Sequence, residues 1–379
     1  MTPLESTLAD LIRINSVNSF YAGGPGEAEL ADYVSGFFKG LGVEIWRQEV
    51  FPGRENVIAR LPGSTDRRRI ILEAHMDTVS VQGMTIPPFL PHVDGRRMFG
   101  RGSCDTKSGL AAMMHAVADV HRSGSRPPCE IWMAAVVDEE YSFRGVVKLC
   151  EGLTGAAALV AEPTDMRAII ASKGVLRWRM ISKGVAAHSS KTHLGVNAIS
   201  HMARVILELE QEHQRLSASS GHPLLGPASS NVGRVEGGDQ VNFVPDRCAI
   251  EIDRRLLPNE RVADVLQQYQ GLLDRLREAD PTFDVQMEPP MLVDDGLDTP
   301  ADSNVAQVSS QVLSEMGLNS ELGGVPFGSD ASKLAKTGIP SIIIGPGKID
   351  QAHAAVEFVD LDQLAEAHEF YRQFMIRFE

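Results

Sequence analysis

The 379-residue sequence is longer than one ordinary domain, and its 43% hydrophobic content suits a globular protein with a sizeable core. With 50 acidic against 36 basic residues the formal net charge is -14, which repels phosphate backbones and argues against nucleic-acid or anionic-membrane partners. Cys104, Cys129, Cys150 and Cys248 form no C-x-x-C pair, so a thiolate zinc site is not indicated and the thiols read as reduced and cytoplasmic.

The opening MTPLESTLADLIRINSV carries Glu5, Asp10 and Arg13 among its apolar residues and reads as an amphipathic helix, not a signal peptide. No apolar run approaches the roughly 20 residues of a membrane span. RIILEAH (69–75), EIWMAAVV (130–137), AAALVAE (156–162) and PSIIIGPG (340–347) read as strands buried on both faces. Helical stripes lie between and after them, at 108–120 and in the C-terminal segment capped by Asp360. Strands alternating with helices predict an α/β domain.

The middle of the chain has a different rhythm. Strand-like 175–184, helical 197–216, strand-like 229–238 and 248–256, helical 261–280 and strand-like 282–288 give the order β-α-β-β-α-β of a ferredoxin-like sandwich. The expected organisation is therefore an α/β domain built from 1–174 and 289–379, with 175–288 inserted as a smaller domain. Gly174 and Pro289-Pro290 sit at the expected crossings, as candidate hinges.

The chemistry collects at strand ends. His75 and Asp77 follow the first core run, where one can ligate a metal and the other steer the imidazole. FGRGSCDTKSG puts Asp105 just before a helix, where its two oxygens can bridge two ions. Asp138, Glu139 and Glu140 follow the second run; one glutamate can bind metal while its neighbour serves as general base. Glu162 ends the third, and GPGKIDQAH leads from the fourth to His353. Each motif alone has an ordinary structural explanation: a satisfied core histidine, an N-cap aspartate, a charged turn. Five in succession, all of metal-ligand type, instead suggest two metals that each take one His, one terminal carboxylate and a shared carboxylate. Mixed imidazole and carboxylate donors favour Zn²⁺, with Co²⁺ or Mn²⁺ as substitutes.

HMDTV, GRGSCDTKSG, DEE, AEPT, AHSS, the NFVPD/DRR pair and the final GPG with His353 closely resemble, in order and over nearly the whole chain, one family. It is the co-catalytic zinc metallopeptidase family of acetylornithine deacetylase, succinyl-diaminopimelate desuccinylase, aminoacylase and carboxypeptidase G. The resemblance implies that His75 and Glu162 hold one zinc, Glu140 and His353 the other, and Asp105 bridges them. It implies Glu139 as general base, Asp77 as the residue orienting His75, and an inserted lid domain that mediates homodimerisation. His188 matches a lid histidine that reaches a partner subunit's active site to stabilise the oxyanion. Asn242 and Arg255 match substrate contacts, the latter to a carboxylate, and Ser329 lies in GSDAS, which matches a substrate-side loop. Ser108 and Lys191-Thr192-His193 depart from the common pattern without removing a ligand.

The expected activity is hydrolysis of the amide of an N-acyl amino acid, with GRGSCDTKSG and HSS followed by LGVNAI resembling the acetylornithine deacetylase branch. A metallo-carboxypeptidase or dipeptidase is the alternative. A non-catalytic binding relative would have lost a ligand or the base, and none is lost. A nucleotide-dependent enzyme would need a Gly-rich phosphate loop after a strand, and none is present.

Overall fold

In a computed structural model the chain is described over residues 1–379, the side chains of Asp66 and Arg67 excepted. It divides into two compact units: residues 1–170, 298–323 and 329–379, and residues 171–297 with 324–328.

The first unit is built on a mixed sheet whose strands run in the order Glu44–Phe51, Arg54–Leu61, Cys129–Val136, Thr65–His75, Ala157–Val160, Ser341–Ile343, Ile169–Ser172. The central four are mutually parallel. Ile70, Ile71, Leu72 and Ala74 are all fully buried, so both faces of this strand are covered, as an uninterrupted apolar run requires. Helices Lys107–Arg122 and Leu361–Arg377 supply part of that cover, through Leu110, Met113, Met114 and Val117 on one and Leu364, Phe370, Tyr371 and Phe374 on the other. Asp360 caps the last helix by accepting the Asp362 N–H at 2.8 Å.

The second unit has the antiparallel order Ser229–Gly237, Arg247–Leu256, Gly174–Lys183, Asp284–Met287. Helices Ala198–Ser217 and Val262–Ala279 complete the β-α-β-β-α-β pattern. Leu176, Trp178 and Met180 point into its core, while Arg177 between them is exposed.

Both expected hinge positions prove to lie inside this unit. The N–H of Glu288 donates to Arg179 O at 2.9 Å and that of Met291 to Arg177 O at 2.8 Å, so Pro289-Pro290 is pinned along a strand. Leu292–Asp294 then adds to the same strand, and the return to the first unit comes only at Asp298. Gly174 is needed for space. A Cβ there would lie 2.4 Å from Asp294 O and 2.8 Å from Gly296 N, both backbone atoms that cannot swing away. Gly174→Ala is expected to cost about 1–3 kcal/mol. Thermal unfolding reads this as a drop of several degrees, and an unchanged midpoint would mean that segment 292–296 does not pack there.

Candidate metal centre

The four parallel strands end at one sheet edge. His75 closes the first, the Asp138-Glu139-Glu140 turn follows Val136, Glu162 follows Val160, and Gly345-Pro346-Gly347 leads from Ile343 toward His353. Open α/β sheets place sites at this edge, because there the chain leaves the ladder and polar groups become available. Asp105 enters from the loop before helix Lys107–Arg122.

These residues converge. Asp105 presents Oδ1 to His75 Nε2 at 3.1 Å and Oδ2 to His353 Nε2 at 3.3 Å. His353 Nε2 also lies 3.1 Å from a Glu140 oxygen. Donor atoms of His75, Asp105 and Glu162 lie within 4.8 Å of one another, as do those of Asp105, Glu140 and His353. Asp105 belongs to both triads. A third triad, His75 with Glu139 and Glu140, puts the second glutamate of the turn within the same reach. The His353 side chain is 53% exposed and those of His75 and Asp105 only 1% and 8%, so the centre opens to solvent on the His353 side.

The donor set is short of positive charge. Burial pushes the carboxyls of Glu139 and Glu162 well above their ordinary range and raises Glu140, with Asp105 adding repulsion to the last two. Burial acts on Asp105 too, but hydrogen bonds from His353 and His75 hold it below the usual carboxylate range. His353 is pushed up to about 11 by Asp105 and Glu140. Two imidazoles facing four carboxylates is an arrangement that divalent cations complete, and mixed nitrogen and oxygen donors in two triads sharing one carboxylate fit a metal pair.

A pH prediction follows. Metal needs the neutral imidazole, whereas His353 carries its proton at neutral pH. Binding must therefore release protons, and affinity must rise with pH below about 11. Calorimetric titration with zinc in two buffers of different ionisation enthalpy is expected to show release of at least one proton. Zero release would contradict this.

Asp77 meets His75 through its main chain. His75 Nδ1 donates to the main-chain carbonyl of Asp77 at 2.9 Å, while the carboxylate is 3.6 Å away. The carbonyl thus fixes the tautomer that leaves Nε2 toward Asp105. The carboxylate instead accepts the N–H groups of Glu139 and Glu140, each at 3.1 Å, because the turn after Val136 folds back over it.

Ser329 lies at the start of a helix. It is fully buried; its hydroxyl accepts the Ala331 N–H at 3.3 Å at the start of helix Ala331–Lys336, and its carbonyl accepts Lys333 Nζ at 3.0 Å. Its side chain serves the helix start and presents no open surface.

His188, Asn242 and Arg255 belong to the second unit. A short ribbon pairs His188 with Phe243, and the Ser189 N–H donates to Asn242 O at 3.0 Å, so the first two are neighbours. His188 Nδ1 lies 2.8 Å from Ser190 Oγ. Arg255 Nε donates to Asp253 at 2.8 Å.

Glu357 is a supporting residue with no local sequence signal. Fully buried, it pairs with Arg101 at 2.7 Å and accepts the N–H groups of Cys104 at 3.0 Å and Asp105 at 3.1 Å, which holds the shared carboxylate's backbone. Its distance in sequence from residue 105 hides the partnership. Glu73 and Asp330, buried behind the strand end, face one another, and burial pushes Asp330 up to about 7.

The profile of peptidase family M20/M25/M40 matches residues 71–377, which include all five residues of the two overlapping triads. The chain belongs to this family. Among curated relatives, N-formyl-4-amino-5-aminomethyl-2-methylpyrimidine deformylase of Bacillus subtilis is 26% identical over 92% of this chain and 88% of its own length. Acetylornithine deacetylase of Myxococcus xanthus is 28% identical over 95% and 93%. Among solved structures, aminopeptidase PepT from Bacillus cereus superposes with a TM-score of 0.81 at 23% identity, covering 98% of this chain and 97% of that one. The M20 chain described here is accordingly an enzyme of the metallopeptidase and amidohydrolase class. Among the described residues no helix is long and apolar enough to cross a membrane.

Proposed function

We propose that this M20 enzyme is a two-zinc deacylase that cleaves the amide of an N-acyl amino acid. The observation carrying the reading is the double aspect of Asp105, one oxygen toward each histidine, with Glu162 completing one triad and Glu140 the other. His75, Asp105 and Glu162 would hold one ion, and Asp105, Glu140 and His353 the second. When bound, the ions supply Lewis acidity, acidifying water and polarising the scissile carbonyl. Glu139 takes a proton from the attacking water and delivers it to the leaving amine nitrogen. Asp77 holds the backbone of the base through its carboxylate and the His75 ring through its carbonyl.

In this reading His188 donates to the oxyanion of the tetrahedral species, supplied by a partner copy in a homodimer. Asn242 contacts substrate, and Arg255 pairs with the amino acid's carboxylate. The curated deformylase and deacetylase relatives favour removal of an acyl group over cleavage between amino acids. The test is a panel of N-acetyl and N-succinyl amino acids and dipeptides with the zinc-loaded protein. Acyl amino acids should be turned over fastest, and Arg255→Met should raise KM for carboxylate-bearing substrates while leaving kcat nearly unchanged. Fastest turnover of dipeptides would replace the deacylase reading with a carboxypeptidase or dipeptidase.

A further inference from the structure

The turn carrying Glu139 and Glu140 is gripped from a segment that none of the strand-end motifs includes. Asn18, fully buried, donates from its side-chain nitrogen to Asp77 Oδ2 at 2.8 Å and to Asp138 Oδ1 at 2.9 Å. Carboxylates can only accept, so the amide must present its NH₂ to both. Its oxygen faces the other way and accepts the Phe20 N–H at 3.0 Å. The Asn18 backbone N–H donates to Thr78 O at 2.9 Å, fastening the segment beside Asp77. Three residues on, the Tyr21 hydroxyl donates to the main-chain carbonyl of Glu140 at 2.9 Å.

Both acids that Asn18 joins act on the turn. The Asp77 carboxylate holds the N–H groups of Glu139 and Glu140. Asp138 begins the turn at φ 71°, a left-handed conformation that a non-glycine residue keeps only when its surroundings hold it. Its own N–H donates to Glu27 at 3.2 Å and its carboxylate takes the Arg54 guanidinium at 3.3 Å, while Arg54 is paired with Glu27 at 2.6 Å. Asp138 and Glu27 thus share one guanidinium, and Asp77 is a third buried acid, joined to Asp138 through the Asn18 amide. The neutral NH₂ of Asn18 lets two of them lie side by side.

We propose that the segment Asn18–Tyr21 is a positioning clasp for the metal centre, with Asn18 setting Glu139 and Glu140 through Asp77 and Asp138, and Tyr21 fixing the Glu140 carbonyl. The inference rests on the reading of Glu140 as ligand and Glu139 as base. It assigns the clasp to the Glu140–His353 ion. Its contacts on the turn reach the Glu140 backbone directly, whereas the His75–Glu162 ion feels it only through the Asp77 main chain, and Glu162 comes from another strand.

The test is calorimetric titration of the metal-stripped, full-length protein with zinc. Asn18→Asp keeps the shape, removes the donor and adds a fourth acid. Tyr21→Phe removes one hydroxyl and leaves the ring. Two binding steps are expected in the wild type. In Asn18→Asp one step should lose about 10- to 100-fold in affinity, the usual cost of removing a hydrogen-bonding neighbour of a ligand, while the other falls clearly less. Tyr21→Phe should show the same pattern at smaller amplitude, and it carries the test if Asn18→Asp does not fold. Turnover of the most active acyl substrate should show kcat falling with KM unchanged. Equal weakening of both steps would reduce the segment to general structural support, and unaltered isotherms in both variants would overturn the clasp. Glu139→Gln run alongside separates the two levels. If it stays active, the reading of the centre itself fails. If it is inactive while both clasp variants behave as wild type, only the clasp fails.

Discussion

Glu139→Gln is expected to yield a folded protein that still binds two zinc ions but turns over its acyl substrate about 10³-fold more slowly, the typical contribution of a positioned general base. Glutamine has the size of glutamate and cannot take up the proton. The Glu139 N–H remains on Asp77, so the turn keeps its shape. Glu140, not Glu139, lies within 3.1 Å of His353 Nε2, which is why the metals should survive the change. With Glu139 as the proposed base, the loss should fall on kcat and spare KM. Metal analysis of the purified variant is the discriminating measurement. Loss of one zinc together with activity would make Glu139 a ligand, an outcome its place in a triad with His75 and Glu140 keeps physically open.

Asp105→Asn should be more damaging to metal binding than any other single change. The side chain serves both triads, and asparagine offers a neutral oxygen to one ion and an NH₂ donor to the other. Affinity should fall at both sites by more than the roughly 100-fold upper range for a supporting neighbour. Zinc should also stop raising the melting temperature, since a ligand stabilises only in proportion to its occupancy of the native state. Glu162→Gln, by contrast, should weaken one step only. Retention of two tightly bound ions in Asp105→Asn would show that the carboxylate is not shared.

The gathering of the candidate donors is legible because its signals are local. His75, Glu162 and the Asp138–Glu140 turn each follow an apolar run, and strand polarity brings such ends together. What connects them is not. Whether Asp77 reaches His75 with its carbonyl or its carboxylate depends on backbone dihedrals at the strand exit, which residue types do not encode. Asn18 and Glu357 are single polar residues on loops, with no periodicity, and their partners lie 59 and 252 residues away. The resemblance of GSDAS to a substrate-side loop carries no information on where the Ser329 hydroxyl points, which is toward a helix start. The ends of the inserted unit shifted because Leu292–Asp294, a strand of three residues, is too short to announce itself and yet carries the chain further along Gly174–Lys183.

The sheet order has a consequence for synthesis. Ser341–Ile343 inserts between Ala157–Val160 and Ile169–Ser172, so a central strand comes from near the end of the chain. As the polypeptide leaves the ribosome from its N-terminus, the edge of Ala157–Val160 awaits a partner almost two hundred residues downstream. The Asp105, Glu140 and His353 triad waits for His353, ten residues past that strand, whereas His75, Asp105 and Glu162 all precede it by well over a hundred residues. A nascent chain can thus gather one complete triad early and gains the second only after Ser341–Ile343 has closed the gap.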